Sequence, residues 1–323
     1  MIFCFAGQGS QYRRMGEALF QDHAVFRRWI EIGDEIVRSR SGVSVIDALF
    51  GPQYSVSDPF DQIEETHPAL FLVQYALAKT LDHHGVQADA YLGTSLGELV
   101  AMALSGMVTF EVATTIVADQ ARVFSQTCAP GGMLAVLANP NLFDELAVLR
   151  DTSEIVSINS AGHFVLAAPA EALPELEAVF RARSIPMQAL PVGYAFHSRW
   201  IDPARELLTD MCPFAGRLPR IPIWSSRTAA PIGLGTSGLL FRVARDPMQV
   251  GETFQAVEGT GGAHYVDVSP TGTFAALLRQ NPMDHSVAIP TLSPFGKSGS
   301  SLDAALALAK PRAVNRFPRA GGA

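Results

Sequence analysis

The sequence predicts an α/β fold in two parts, a large α/β subdomain interrupted by a smaller α+β unit. Three observations carry that expectation. Short apolar runs end on glycine-rich turns that lead into helical patterns, at residues 2–6 and again at 88–92, the rhythm of βα units around a mostly parallel sheet. After Pro130-Gly131-Gly132 the rhythm changes to a β-α-β-β-α-β order. The chain has 323 residues, 48% apolar and 17% charged, enough to bury a large core in one large or two unequal domains.

Residues 2–6 read as a buried strand rather than a signal peptide, since the apolar run has no basic segment before it. Gly7-Gln8-Gly9-Ser10-Gln11 follows as a tight turn where backbone can approach a ligand, with the amide of Gln11 pointing into a site. It lacks the Gly-Lys-Ser/Thr ending of a phosphate-binding loop. Residues 12–50 alternate helical patterns with polar breaks and place Phe20, Val25, Phe26 and Trp29 on packing faces. A strong helix is expected over 67–84, with Pro68 in its first turn. A strand over 88–92 leads to a helix over 96–104 that ends near Gly106, and Glu98 is placed to cap that helix. Val112, Ile116 and Val123 mark one face of a further helix over 111–126.

The middle of the chain gives a strand at 133–137, a helix at 141–149, paired strands at 154–158 and 164–168, a helix at 170–183 and a strand at 187–192. That order makes residues 129–197 a ferredoxin-like small subdomain, inserted into a large subdomain built from 1–128 and 198–311. The return adds a helix at 201–211, a strand at 221–227 running into a polar turn, a helical stretch at 243–258, and strands at 265–268 and 287–292. Residues 312–323, with Arg312, Arg316 and Arg319 among Pro and Gly, read as a flexible tail.

The net charge of −7 argues against a nucleic-acid partner. No stretch reaches the length of about 18 apolar residues that a membrane span needs. Cys4, Cys128 and Cys212 are widely spaced with no CxxC, which gives no zinc signature, predicts no bound metal and suits a reducing cytoplasm.

The chemistry centres on Gly93-Thr94-Ser95-Leu96-Gly97. Gly-x-Ser-x-Gly lets a strand turn sharply into a helix, so the hydroxyl of Ser95 projects at the bend beside unpaired helix amides, among them that of Leu96. A serine needs a base, usually histidine. Of the eight histidines, His83 and His84 fall at a helix end, His23 and His285 in polar surroundings, and His163 and His264 directly before strands. His67 sits at a helix start and is placed to line a site. His197, in Tyr194-Ala195-Phe196-His197-Ser198, joins the small unit back to the large one, where a cleft should lie. No acidic residue follows it in triad fashion, since Asp202 starts a helix. A backbone carbonyl at the Ser225-Ser226 turn is the candidate to orient the imidazole.

Together, Gly7-Gln8-Gly9-Ser10-Gln11, Gly93-Thr94-Ser95-Leu96-Gly97-Glu98 and Tyr194-Ala195-Phe196-His197-Ser198 resemble the acyltransferase family of fatty-acid and polyketide synthesis, the malonyl-CoA:acyl-carrier-protein transacylase group, over about residues 1–295. The resemblance implies an α/β-hydrolase-like large subdomain with the ferredoxin-like insertion, and a ping-pong reaction. Ser95 attacks an acyl thioester with His197 as base, the amides of Gln11 and Leu96 hold the oxyanion, and the carbonyl of Ser226 orients His197. It also implies an acyl carrier protein as partner. The substrate is a phosphopantetheine or CoA thioester, with no bound cofactor.

Three positions depart from the family pattern. Relatives that move malonyl groups have an arginine 25 residues after the nucleophile, pairing with the free carboxylate; here it is Gln120. Arg122 lies about 200° round the helix and cannot replace it. Thr94 stands where a histidine usually precedes the nucleophile, and His67 where the helix usually starts with glutamine. Phe196 is the bulky residue beside the histidine, as in relatives that take small unbranched acyl groups. The pattern resembles the stand-alone acyl hydrolases of trans-acyltransferase polyketide synthases. The expected function is hydrolysis of acetyl or other non-carboxylated acyl groups from carrier proteins, by a cytoplasmic monomer. The alternatives are transfer of such a group to a carrier protein, ordinary malonyl transfer, and a non-catalytic carrier-protein docking module.

Overall fold

The computed structural model describes residues 1–211, 215–281 and 283–294, together with Asp303, Leu306 and Ala307. Cys212 and the tail at 312–323 lie outside the described residues.

Six strands form the larger sheet: β1 (Ile2–Phe5), β2 (Ala90–Gly93), β7 (Ile223–Ser225), β8 (Ala230–Pro231), β9 (His264–Asp267) and β10 (Val287–Pro290). Their spatial order is β10-β9-β1-β2-β7-β8, all parallel except the short edge strand β8. Central strands of such a sheet are covered on both faces, and every residue of β1 and β2 is buried. Helices Ala24–Ser41, Ile63–His83 and Phe110–Thr127 supply one cover. Trp29, Tyr75 and Phe110, one from each, meet with ring centroids 4.4–5.2 Å apart. Helices Val250–Glu258 and Thr273–Gln280 bring Phe254 and Phe274 against Tyr265 of β9 and Ile2 of β1 in a separate apolar cluster.

The second sheet holds β3 (Gly131–Val136), β4 (Glu154–Ser160), β5 (His163–Pro169) and β6 (Met187–Ala189) in the order β4-β5-β3-β6. All three pairings are antiparallel, which is the ferredoxin-like arrangement. Leu134, Phe164, Leu166, Leu176 and Phe180 form its own buried core.

Element ends differ from the sequence reading where local chemistry was misjudged. The long helix begins at Ile63, one turn earlier than expected, with Glu64 and Glu65 at its positive end. Pro68 therefore sits inside it and removes one hydrogen bond. The stretch expected as one helix over 243–258 is two, Leu239–Arg245 and Val250–Glu258, separated at Pro247. The helix expected at 141–149 is split into Leu142–Glu145 and Ala147–Thr152. That at 201–211 is a 3-10 segment, Arg199–Ala204, around Pro203, followed by Arg205–Asp210.

Candidate active site

Ligands in open α/β sheets collect beyond the carboxyl ends of the strands. Here the loops after β1, β2 and β7 lie side by side at that edge, with Phe5 paired to Gly93 and Gly93 to Ser225. Ser95 follows β2 directly, with φ 54° and ψ −126°. A serine held at positive φ between a strand and a helix is a strained elbow that presents its hydroxyl at the bend. The tight approach requires two glycines. A Cβ on Gly97 would collide with the Phe5 carbonyl, and one on Gly7 would lie 2.6 Å from the Ser95 Cβ.

His197 reaches the elbow from the loop after β6. Its backbone is also at positive φ (64°), pinned by its N–H donating to the Ala244 carbonyl at 2.8 Å. Nδ1–H donates to the Asp246 carbonyl at 2.8 Å, leaving Nε2 free to accept from the Ser95 hydroxyl at 3.0 Å. Burial lowers the imidazole to about 4, opposed by the Asp246 carbonyl and carboxylate, with Arg245 lowering it further. At neutral pH His197 is thus uncharged, the state a general base requires.

The carbonyl that orients His197 belongs to Asp246, not Ser226. The Ser226 carbonyl is taken by the Gln249 N–H at 2.6 Å. Asp246 precedes Pro247, which forces an extended conformation (ψ 143°) on it and turns its carbonyl out of the helix it ends. The place of Gln11 also differs from the expectation. Gln11 does not line the cavity: its side chain binds the Gly9 N–H and the Phe60 and Pro191 carbonyls, bracing the loop. Gln8 faces Ser95 in its place, together with Leu96. Among the described residues neither the Gln8 nor the Leu96 backbone N–H has a hydrogen-bond acceptor. Glu98 does not cap its helix either. Its Oε1 accepts from the Ser225 hydroxyl at 2.6 Å, and the helix start has no side-chain cap.

Two cavities meet at Ser95. The larger, about 200 Å³, lies between the two sheets, with Gly7, Thr94 and His197 on one side and Met133, Asn159 and His163 on the other. Thr94 is buried at its edge, with its hydroxyl 3.5 Å from the Phe5 carbonyl. His163, set aside in the sequence as a strand-leading histidine, lines this cavity and bonds Asn159 and Gln280. The smaller, about 20 Å³, runs inward from Ser95 between Gln8, His67, Gln120, Phe124 and Phe196. Phe196 packs edge-on to Phe124 at 5.1 Å.

His67 and Gln120 are both buried, and they form a neutral chain with Gln8. The Gln8 amide donates to His67 Nδ1 at 3.0 Å, and His67 Nε2–H donates to Gln120 Oε1 at 3.3 Å. Burial lowers His67 to about 4 against the raising effect of Gln120, so it is neutral. Among the described residues no arginine or lysine lines the small cavity, and Arg122 is exposed on the far face of its helix.

An α/β sheet with a serine elbow and a ferredoxin-like insertion defines an acyltransferase architecture, and residues 2–298 match the acyl transferase domain family, to which this chain belongs. Among its relatives, the polyketide biosynthesis acyltransferase homolog PksD of Bacillus subtilis (strain 168) is 36% identical over 281 residues, 87% of each chain. The polyketide biosynthesis protein ThaF of Burkholderia thailandensis is 37% identical over 92% of this chain, which covers 26% of that protein. Solved structures with the same fold include a loading acyltransferase from the avermectin modular polyketide synthase (TM-score 0.87, 23% identity, 96% of this chain and 99% of that one). Another is MCAT from Streptococcus pneumoniae (TM-score 0.76, 22% identity, 95% and 99%).

Proposed function

We propose that this protein hydrolyses acetyl or other small, non-carboxylated acyl thioesters on acyl carrier proteins of polyketide biosynthesis, through an acyl-Ser95 intermediate. The observation that carries the reading is the inner cavity. Where a malonyl carboxylate would need a cation, the chain offers the neutral Gln8–His67–Gln120 chain and an apolar wall. Burying a carboxylate there without a counter-charge costs several kcal/mol, about the cost of any unpaired buried ion.

The chemistry runs in two halves. The Ser95 Oγ attacks the thioester carbonyl while His197 Nε2 takes its proton. The tetrahedral oxyanion lies at the N–H groups of Gln8 and Leu96. The intermediate collapses with cleavage of the C–S bond, and the thiol leaves with the proton from His197. Water then enters through the larger cavity, gives its proton to His197 and attacks the acyl-serine. Ser95 recovers the proton as the free acid departs. The Asp246 carbonyl stabilises the imidazolium at each stage. The phosphopantetheine arm enters by the larger cavity, between the two sheets.

The test is to incubate the protein with acetyl-carrier protein alone. Release of acetate with return of the free thiol supports hydrolysis. An acyl group that stays on the protein or carrier until a second thiol is added supports the second reading, acyl transfer, which the naming of PksD as an acyltransferase homolog favours. In either case a serine-directed acylating probe labels wild type and spares Ser95→Ala; failure to label would leave only a docking role.

A further inference from the structure

The steps above leave two charged groups beside the site unused. Glu98 lies one turn beyond Ser95 on the same helix and is 1% exposed. Its Oε1 accepts from Ser225, while its Oε2 is buried with no hydrogen-bond partner. Arg227, in the turn after β7, likewise has a buried Nε without a partner. A buried acceptor and a buried donor, each unpaired, cost free energy unless something else holds them there.

What holds Arg227 is the residue that orients the base. Its Nη1 lies 3.5 Å from the Asp246 carboxylate, and the carbonyl of that same Asp246 accepts from His197 Nδ1–H. Two more bonds join the two turns: the Gln249 N–H to the Ser226 carbonyl at 2.6 Å, and the Gln249 amide to the Arg227 carbonyl at 3.2 Å. Glu98 lies within the field of both Arg227 and Asp246. A line of contacts therefore runs from the nucleophile's helix, through the turn after β7, to the carbonyl behind the histidine.

We infer that Glu98 and Arg227 are positioning residues for His197: Glu98 anchors the turn after β7 through Ser225, and Arg227 of that turn, paired with the Asp246 carboxylate, fixes the Asp246 carbonyl on Nδ1–H. The inference rests on the reading of Ser95 and His197 as nucleophile and base. Its physical content is the tautomer. Nε2 accepts the serine proton only while Nδ1 keeps its own, and that depends on an acceptor held in place. The Asp246 carboxylate, anchored by the guanidinium, also leaves a negative charge near the imidazolium that forms in each half-reaction.

The arrangement has a signature in pH. Burial raises Glu98 to about 7, against the lowering effects of the Ser225 bond, the Arg227 charge and the Arg227 backbone, and with a further rise from Asp246. As pH rises through that value the carboxylate gains its charge, and its attraction for the Arg227 guanidinium steadies the turn that Asp246 already holds. The charged groups facing His197 itself are Asp246 and Arg245.

The test uses the whole protein and a fluorophosphonate, which reports activated Ser95 whatever the natural acyl group. The Oγ–P bond forms, fluoride leaves, and the serine proton passes to His197. Second-order labelling rates are read by intact mass from pH 4 to 9, beside the Tm of each variant. Arg227→Ala is expected to slow labelling about tenfold at pH 8, and Arg227→Lys to recover most of it. Glu98→Gln keeps an acceptor for Ser225 and is expected to erase the step near pH 7. Wild-type rates in Arg227→Ala, a lysine variant as slow as alanine, or a surviving step in Glu98→Gln would each overturn the inference. Should the variants not fold, the wild-type His197 Nδ1–H resonance decides. It is expected to sharpen as pH rises through 7, and indifference to pH counts against the inference. A wild type that does not label at all fails on a different ground, the nucleophile itself.

Discussion

Placing an arginine at position 120 should move the preference toward carboxylated acyl groups, and the size of the shift can be worked from the inner cavity. Its volume, about 20 Å³, holds little more than a methyl group, and its polar wall is uncharged. A malonyl carboxylate there meets two amides and one neutral imidazole. Charge-assisted hydrogen bonds contribute roughly 1.5–3 kcal/mol each. A bidentate guanidinium should therefore recover about 3 kcal/mol of the burial penalty, roughly 150-fold in rate. Gln120→Arg alone leaves the longer side chain against the His67 ring, so the variant to make is His67→Gln with Gln120→Arg. The assay follows acyl-Ser95 formation by intact mass, from malonyl- and acetyl-carrier protein in parallel. Wild type should form malonyl-enzyme at least about 100-fold more slowly than acetyl-enzyme, and the double variant should narrow or invert that ratio. Stable malonylation of wild-type Ser95 at the acetyl rate would refute the reasoning, as would a ratio that the two substitutions leave unmoved.

Three further outcomes follow from the same geometry. The acylation rate should climb with pH through about 4, where His197 loses its proton, apart from the step near 7 that Glu98 adds; in Glu98→Gln, which lacks that step, an acidic limb at the ordinary imidazole value near 6.5 would contradict the buried base. His67 and His197 are both lowered to about 4, so the unfolded chain binds protons the folded chain refuses between about 6.5 and 4. Their stabilising effect is present above that window and lost as pH falls through it, and a Tm that declines less in His67→Gln than in wild type checks the sign. Gly97→Ala drives a methyl into the Phe5 carbonyl and should destabilise by about 1–3 kcal/mol, read as a lower denaturant midpoint; an unchanged midpoint would mean that strand and helix can part without cost.

Much of this site was visible in the residues because its signals are local. Gly-x-Ser-x-Gly defines a bend within five residues, and the bend is present with Ser95 at positive φ. The β-α-β-β-α-β rhythm likewise needed only neighbouring residues, and the antiparallel sheet follows it. What was misplaced was backbone. A carbonyl or an amide has no side-chain signature, so only folding tells the Asp246 carbonyl from that of Ser226 behind His197, and Gln8 from Gln11 beside Ser95. Pro247 was the available clue, since the residue before a proline is forced out of the helix. The spacing of Glu98 from Ser95 suits a cap, yet its partner Ser225 lies 127 positions away. His163 shows the same limit: its place in the cavity depends on how β5 meets the larger sheet, a long-range matter that no local pattern encodes.

Gln8 touches two functions at once. Its backbone faces the oxyanion position beside Ser95, and its side chain ends the row that runs through His67 to Gln120. On the proposed mechanism, an acyl group too large or too charged for the inner cavity pushes on Gln120, and that push travels through two hydrogen bonds to the loop of Gln8. On that mechanism fidelity is kinetic: an ill-fitting thioester docks through an arm that does not sense its acyl end, meets a loosened oxyanion site and departs unreacted. Discrimination should then be seen in turnover far more than in occupancy, and a poor substrate would leave the enzyme as intact as it arrived.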